Sequence, residues 1–318
     1  MTSLKSCAGF YDGYILNSDV FRRISLTMSP FVCDDAFNNR KLWVKNRSDY
    51  SDVVVVNGKH GRVTRRCTTA LSIALSQLGL NPTDEVWIET TTNNRYISSC
   101  VTGTIERYCR WSRVRTDKTA AILVNHEFGF VYPNLQDLKS IGLPIIEDAA
   151  YSMYSEGDKG SVGNYGDFVL YSMAKIFPLQ GGGILVTQNG ELPCSDLDRD
   201  EATYYYNCYR HYSEQREEII EGRLKNHAFL KDLFIELGID LRIYPKKGEV
   251  PGAFLFKAPG KDLDGLKTFM QSQGIECSVF YGEESFFIPC HQNLKEQHLH
   301  YMVSMVNCFL NQEMKLHR

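Results

Sequence analysis

Short apolar runs recur along the chain as far as residue 187, and each is bounded by polar or turn-forming residues. Runs of this length, rich in Val, Ile and Leu, are typical of strands that are covered on both faces. The pattern predicts a strand followed by a turn in residues 52–59 and a turn followed by a strand in residues 81–89. Further strands are predicted at residues 119–126 and 143–148, in the run that ends at Ser172, and after the Gly-rich turn in residues 181–187.

Segments with helical spacing lie between these strands. In residues 67–80, apolar positions recur at steps of three and four, with Thr68 or Thr69 as the predicted N-cap. Further helices are predicted to begin near Asn93 and Pro133. Because strands and helices alternate, this part of the chain indicates an α/β fold with a largely parallel sheet and crossover helices.

The remainder of the chain predicts a smaller α+β domain. Residues 213–237 have helical spacing, and apolar strands at 253–257 and 277–281 flank a further helix. We place the large α/β domain at residues 1–190 and the small domain at residues 191–318, while residues 1–50 predict no clear element.

A basic cluster precedes the first long helix, in the segments His60-Gly61-Arg62 and Arg65-Arg66. We interpret it as a solvated loop, and the alternative is a rim that faces a phosphate.

Composition narrows the class of protein. The chain has 318 residues, 43% of them hydrophobic and 23% charged, which is ordinary for a globular protein. A net charge of −3 gives no reason to expect a nucleic acid or an anionic membrane as partner. The 10 cysteines show no metal-finger spacing, so we expect reduced thiols and no metal site. The sequence shows neither a signal peptide nor an apolar run long enough to cross a bilayer, so we expect a cytoplasmic protein.

The candidate chemistry lies in residues 144–187. One predicted strand ends in Asp148, and the next is followed by Ser172-x-x-Lys175 and a Gly-rich turn. A lysine amine, an anion for a pyridine nitrogen and a hydroxyl for a phosphate are what pyridoxal phosphate (PLP) requires. A lone lysine near a strand end is more often half of an ion pair, and a strand-end Asp is often a helix N-cap, but the combination favours the PLP site.

These motifs carry a family resemblance. The run Ile146-Glu147-Asp148-Ala149-Ala150, followed by Gly166-Asp167, a Ser, a Lys and Gly182-Gly183, resembles the DegT/DnrJ/StrS family of PLP-dependent nucleotide-sugar aminotransferases. The resemblance is good over residues 67–187 and looser over 250–310. It implies the fold-type-I PLP-dependent transferase architecture, with a large, mostly parallel domain, a small α+β domain and a homodimer.

The resemblance also implies roles for particular residues. Lys175 would be the catalytic Schiff-base lysine, Asp148 would contact the pyridine nitrogen, and Ser172 would bind the phosphate. Cys67-Thr68 falls on the Gly-Thr pair with which the family holds the phosphate, so Thr68 and the adjoining Thr69 would bind it, although Cys67 replaces the glycine.

Other positions leave alternatives open. Tyr151 would touch the phenolic oxygen of PLP or pack in the core. At the place of the family's stacking aromatic the chain has Thr91, Thr92 and Asn93, so either Tyr96 stacks after a local shift or a polar group serves. We interpret His126, in the His126-Glu127-Phe128-Gly129 segment, as a loop anchor rather than a catalytic base.

The resemblance implies that an amino group moves from glutamate or glutamine to a keto group of a nucleotide-linked deoxysugar, in surface polysaccharide or glycoconjugate biosynthesis. A PLP-dependent sugar dehydratase is one alternative, but those relatives replace the lysine with histidine. A non-catalytic or regulatory protein that retains the fold is the other, because Cys67 replaces the glycine and the stacking aromatic is missing.

Overall fold

A computed structural model of the protein describes residues 26–44, 51–158 and 160–316. Residues 1–25 and 45–50, within the part for which the sequence predicts no clear element, lie outside the described residues. The described chain forms two compact units. The first contains Ser29–Ile220 and Pro245–Gly252, and the second contains Glu221–Tyr244 together with residues 26–28 and 253–316.

An eight-stranded sheet is the centre of the first unit. Its strands are β1 (Val53–Val56), β2 (Lys59–Thr64), β3 (Glu85–Thr90), β4 (Arg110–Ser112), β5 (Thr119–Asn125), β6 (Ile145–Asp148), β9 (Phe168–Ser172) and β10 (Gly183–Thr187). The short strands β7 (Glu156–Gly157) and β8 (Gly160–Ser161) form a separate hairpin. The order is β1-β2-β10-β9-β6-β5-β3-β4, and every pair from β9 to β4 is parallel. The predicted α/β class with a mostly parallel sheet is confirmed.

Helices accompany this sheet. They are α1 (Cys33–Val44), α2 (Cys67–Gln77), α3 (Ser99–Ile105), α4 (Leu135–Lys139), α5 (Met173–Ile176) and α6 (Arg199–Ser213). The apolar side of α2 buries Leu71 and Leu75 in the same cluster as Ile88 of β3 and Leu123 of β5. This burial fixes the first turn of α2 near the strands that carry the candidate site, because the helix packs directly on the sheet.

Three local predictions were wrong. The N-cap of α2 is Arg66, so Thr68 and Thr69 lie within the first turn instead of capping it. The segment His60-Gly61-Arg62 is part of strand β2 rather than a loop, because it pairs with β10, and Gly61 lies against Ile184 and Val186 with no room for a side chain. Arg65 and Arg66 follow the strand and are exposed, as the solvated-loop interpretation has them. Helix α3 begins at Ser99 and not near Asn93, since the Ser98 side chain accepts the Cys100 N–H as N-cap.

The second unit is α+β. Helix α7 (Arg216–Glu236) enters it from the first unit, and it continues with β11 (Ala253–Lys257), α8 (Leu263–Ser272), β12 (Ser278–Phe280), β13 (Ser285–Pro289) and α9 (Glu296–Leu316). The three strands pair antiparallel in the order β11-β13-β12. Their core is aromatic, with Phe234, Phe254, Phe256 and Phe286 in successive ring contacts. Within the described residues, no helix has the length and apolar character that crossing a membrane requires.

Candidate active site

The candidate site lies at the carboxyl ends of neighbouring strands. Asn125 at the end of β5 pairs with Asp148 at the end of β6, and Asp148 in turn pairs with Leu170 of β9. Ser172 follows two residues later at the end of β9. Open α/β sheets bind ligands at this edge because parallel strands deliver their last side chains together.

Asp148 is a buried carboxylate with both oxygens engaged. Asp148 is only 6% exposed. Oδ1 accepts the Ala150 N–H at 3.1 Å, and Oδ2 accepts the Asn125 side-chain amide at 2.9 Å. Burial, the largest influence, raises the pKa of Asp148, while these two hydrogen bonds act in the opposite direction. No helix begins here, so the N-cap alternative for Asp148 is wrong.

Glu147 points away from this pair and anchors the following loop. Its carboxylate accepts the N–H groups of Gly163 at 2.8 Å and Tyr165 at 2.9 Å, and that of Gly166. Burial favours the neutral acid, but hydrogen bonds from His126 and from these backbone groups hold the pKa of Glu147 below its ordinary value. Glycine at 166 is required because a side chain there would meet the Glu147 carboxylate.

His126 has the anchoring geometry predicted from the sequence. Its Nδ1 accepts the Tyr132 N–H at 3.1 Å, so its Nε2–H donates to Glu147 at 3.1 Å. Both ring nitrogens are therefore committed within the protein, and the ring is 1% exposed.

Lys175 lies in the single turn of α5, directly after β9. Ser29 holds this turn by donating to the Ala174 carbonyl at 2.8 Å. The Lys175 Nζ lies 5.1 Å from the centre of the Tyr151 ring, over its face. Tyr151, which the sequence predicts as a site residue, therefore lies next to Lys175.

Cys67 joins these residues at the first position of α2. Burial raises the pKa of the Cys67 thiol, with a further increase from the Asp148 charge and a decrease from the Lys175 charge. Strand register gives the same neighbourhood: β6, which ends in Asp148, pairs with β9, Lys175 follows β9, and Gly183, which pairs with Ser172, lies against the nitrogen of Cys67.

Ser172 and the first turn of α2 lie on the two sides of strand β10 at this edge. Gly183 pairs with Ser172 across β9 and β10. A side chain on Gly183 would lie 2.6 Å from the carbonyl carbon of Arg66 and the nitrogen of Cys67, so α2 begins against this strand. Among the described residues the N–H groups of Cys67 and Thr68 have no acceptor. Free N–H groups and the positive end of a helix dipole beside a hydroxyl fit a phosphate.

Thr68 and Thr69 are half-buried in this first turn. Neither hydroxyl caps the helix, and neither bonds to another group within the described part of the chain. Their contact with a phosphate stays a prediction.

The segment that replaces the family's stacking aromatic is bound to the loop after β5. The Thr91 hydroxyl donates to the Phe130 carbonyl at 2.7 Å, and Glu127 accepts the Thr92 N–H at 2.7 Å and its hydroxyl at 3.0 Å. These threonine hydroxyls are thus used inside the protein. Whether Tyr96 or a polar group faces the cofactor ring stays a prediction.

Sequence reasoning missed two functional neighbours. Asn125 supports Asp148, and its only sequence signal is an amide at the end of an otherwise apolar strand. Glu147 could have been found, because an acid in a wholly buried strand requires partners and Gly163 and Gly166 lie in the next loop.

Comparisons with known proteins agree with this geometry. The model of the DegT/DnrJ/EryC1/StrS aminotransferase family matches residues 112–195, which include Asp148, Tyr151, Ser172 and Lys175. A "Pleiotropic regulatory protein" of Geobacillus stearothermophilus is 26% identical over 278 residues, covering 70% of this chain and 70% of that protein.

Two further relatives cover different shares of the chain. A Micromonospora echinospora protein, named as an L-glutamine:3-amino-2,3-dideoxy-scyllo-inosose aminotransferase, is 30% identical over 173 residues, 47% of this chain and 41% of that protein. The aminotransferase TlmJ of Streptoalloteichus hindustanus matches in structure with a TM-score of 0.66 and 16% identity, over 79% of this chain and 86% of that one. The likeness to TlmJ shows the fold.

Proposed function

We propose, from the premise that this chain is a PLP-dependent member of the DegT/DnrJ/EryC1/StrS aminotransferase family, that it aminates a keto group on a nucleotide-linked deoxysugar. The family, the cofactor and the aminotransferase class predicted from the sequence are confirmed. The observation that supports the proposal is that Asp148, at the end of β6, and Lys175, directly after the neighbouring strand β9, lie at one sheet edge against the start of α2.

The residues present fit PLP. Asp148 offers a buried carboxylate to the pyridine nitrogen, and Lys175 offers the amine for covalent attachment. Ser172, Thr68 and Thr69, with the free N–H groups of the first turn of α2, would hold the phosphate. When bound, PLP supplies an electron sink for the charge that develops at the donor carbon.

The protein's own contribution is orientation and proton transfer. Lys175, once released from the cofactor, would take the proton from the donor carbon and return it to the cofactor carbon as general base and acid. Asp148 would keep the pyridine nitrogen protonated, since a buried anion favours the charged form of a partner in contact with it. Asn125 would fix the direction of that carboxylate.

Glutamate or glutamine is the proposed amino donor. The name of the Micromonospora relative gives L-glutamine as donor, which supports this choice. The sugar nucleotide and the place in surface polysaccharide or glycoconjugate biosynthesis rest on the family resemblance. The same resemblance supports a cytoplasmic homodimer.

Cofactor mapping tests the lysine. The holoprotein should be yellow, and borohydride reduction followed by peptide mapping should place the pyridoxyl label on the peptide that contains Lys175. Lys175→Ala should carry no covalent label and should not turn over, whereas Lys139→Ala, which changes an exposed lysine paired with Asp167, should behave as the parent. Label found only on another lysine would reject the assignment.

A substrate screen tests the reaction. Nucleotide-linked keto sugars would be offered with glutamate or glutamine, and the amino sugar product would be detected by mass spectrometry. Turnover of a free keto sugar at the rate of the nucleotide-linked one would reject the nucleotide requirement.

A regulatory role is the second candidate, because the Geobacillus relative is named a pleiotropic regulatory protein. A regulatory protein of this fold would bind PLP without turning it over. Conversion of the bound cofactor to its amino form by glutamate or glutamine would exclude a purely regulatory role.

A further inference from the structure

The ring of Tyr151 is held on two sides within the first unit. Phe128 contacts it with 4.9 Å between ring centres. On another side lies Gly252, where a Cβ would come 2.5 Å from Tyr151 Cδ1 and 3.1 Å from Cγ. An alanine at this position would have to displace a rigid ring, so Gly252 sets the limit on where the ring can lie.

The backbone fixes both neighbours of the ring. Phe128 has a left-handed conformation, with φ 48° and ψ 36°, which costs a non-glycine residue free energy and persists only where the surroundings enforce it. Its carbonyl accepts the Gly252 N–H at 2.7 Å. Ser155 ties the same two segments together by donating to the Gly129 carbonyl at 2.7 Å and accepting the Val250 N–H at 3.0 Å.

Lys175 lies over the face of this fixed ring. A distance of 5.1 Å from Nζ to the ring centre is within the range of cation–π attraction. The attraction uses the aromatic face and not the phenolic hydroxyl, so a phenylalanine would provide it equally well.

We propose that Tyr151 is a positioning residue that holds the Lys175 ammonium on its ring face whenever the lysine is not attached to the cofactor, with Phe128 and Gly252 fixing the ring. The inference rests on the proposed function, in which Lys175 alternates between attachment and proton transfer. It assigns Tyr151 a partner other than the phenolic oxygen of PLP. A lysine held at one place stays within reach of the reacting carbon, which reduces the freedom lost at each proton transfer.

The test uses the full chain freed of PLP, so that Lys175 is not blocked. Acetic anhydride labelling from about pH 7 to 11, read by mass spectrometry, gives a midpoint pH for each lysine. Because cation–π attraction favours the ammonium, Tyr151→Leu should lower the Lys175 midpoint and raise labelling below it about two- to fivefold. Tyr151→Phe should match the parent. The midpoint, unlike the labelling rate, does not depend on how fast the reagent reaches the amine.

The chain contains a contrasting control. Lys267 in the second unit lies 5.4 Å from the centre of the Tyr281 ring, but its Nζ donates to the Tyr281 hydroxyl at 3.0 Å, and this hydrogen bond raises the pKa of Lys267. Tyr281→Phe and Tyr281→Leu should therefore both shift the Lys267 midpoint, and both should leave that of Lys175 unchanged. Gly252→Ala, which displaces the Tyr151 ring without removing it, should shift Lys175 in the same direction as Tyr151→Leu.

An unchanged Lys175 midpoint in both Tyr151→Leu and Gly252→Ala would overturn the proposal. A shift in Tyr151→Phe as large as in Tyr151→Leu would also overturn it, because the hydroxyl would then be the active group. Failure of the proposed function looks different, since borohydride would then leave no pyridoxyl on Lys175 while the cofactor-free midpoints still respond to Tyr151.

Discussion

Each oxygen of the Asp148 carboxylate accepts one hydrogen bond, one from the Asn125 side-chain amide and the other from the Ala150 N–H. This arrangement matters because burial alone would favour a neutral acid, and a neutral acid cannot stabilise a pyridinium. The electrostatic behaviour of the site therefore depends on an amide that carries no charge of its own.

Replacing Asn125 with Leu should weaken PLP binding. Loss of a hydrogen bond to a charged group costs roughly 1.5–3 kcal/mol, which corresponds to about a 10- to 150-fold rise in Kd if the whole loss falls on the bound state. The lost bond opposed the effect of burial, so the pKa of Asp148 should rise further. When the pH is lowered, the variant should therefore begin to lose PLP affinity at a higher pH than the parent does. Titration of PLP across pH measures both effects.

The control for this change is Asn134→Leu, which alters an exposed asparagine that makes no side-chain cap at α4. It should leave affinity and its pH dependence as in the parent. An Asn125→Leu protein with parental affinity at every pH would contradict the role of the amide.

Asp148→Asn should separate binding from proton removal. The asparagine keeps the size of the side chain and one of its two acceptor oxygens but removes the charge, so PLP should still attach to Lys175 and the protein should stay yellow. Conversion of the cofactor by glutamate should slow severely, because an unprotonated ring is a poorer electron sink. Stopped-flow absorbance measures this half-reaction, and conversion at the parental rate would show that Asp148 is not the pyridine partner.

At the scale of elements, the start of α2 is the most informative. Arg66 is its N-cap but contributes no side-chain hydrogen bond, so the first turn keeps N–H groups available beside Ser172 and Gly183. A helix optimised for stability would cap these groups itself.

Thr68→Ala and Thr69→Ala should therefore weaken PLP binding with little loss of stability. Loss of a genuine cap costs about 0.5–2 kcal/mol, and neither threonine is a cap. Ser98→Ala is the matched control, because Ser98 does cap α3 and should lower stability without changing PLP affinity. Urea unfolding and PLP titration of the three variants make the comparison, and parental PLP affinity in both threonine variants would remove them from the phosphate site.

The central strands could be predicted because burial on both faces requires nearly unbroken apolar runs, as in β6 and β10. Strand β2 could not, since Lys59-His60-Gly61-Arg62 is polar and its position depends on pairing with β10. Helix α6 was missed although Asp198 and Glu201 form a capping box that the sequence displays. The site was predictable to the same extent. Asp148 and Lys175 could be predicted as motif residues, whereas Asn125 contacts Asp148 only because of the register between β5 and β6.

At the scale of the whole molecule, buried histidines make stability depend on pH. Burial lowers the pKa of His227 to about 4 and that of His291 to about 3. Below the unfolded pKa of about 6.5 the unfolded chain binds protons that the folded chain excludes, so stability falls as the pH drops from there toward those folded values. Each histidine should contribute a loss of roughly 1.4 kcal/mol per pH unit within this window.

His227→Phe should reduce that slope. His227 packs on the Phe254 ring with 5.3 Å between ring centres, so phenylalanine retains the aromatic contact without the titrating group. Urea unfolding at pH 7, 6 and 5 measures the slope, with the exposed His60→Gln as control. An unchanged slope in His227→Phe would contradict the assignment.

The division of the chain at residue 190 into a large and a small domain stays a prediction. Limited proteolysis of the full chain, followed by separate unfolding measurements on the fragments, would test whether residues 191–318 fold independently.

Gly252 has a consequence for the order of synthesis. It leaves the ribosome about a hundred residues after Tyr151, which is roughly 5–20 s at ordinary elongation rates, yet the Tyr151 ring is fixed only when Gly252 reaches it. A nascent chain that already displays Asp148 and Lys175 therefore has no settled position for its lysine. Ribosome-stalled chains ending before residue 252 should therefore show the lower Lys175 labelling midpoint that is expected of Tyr151→Leu.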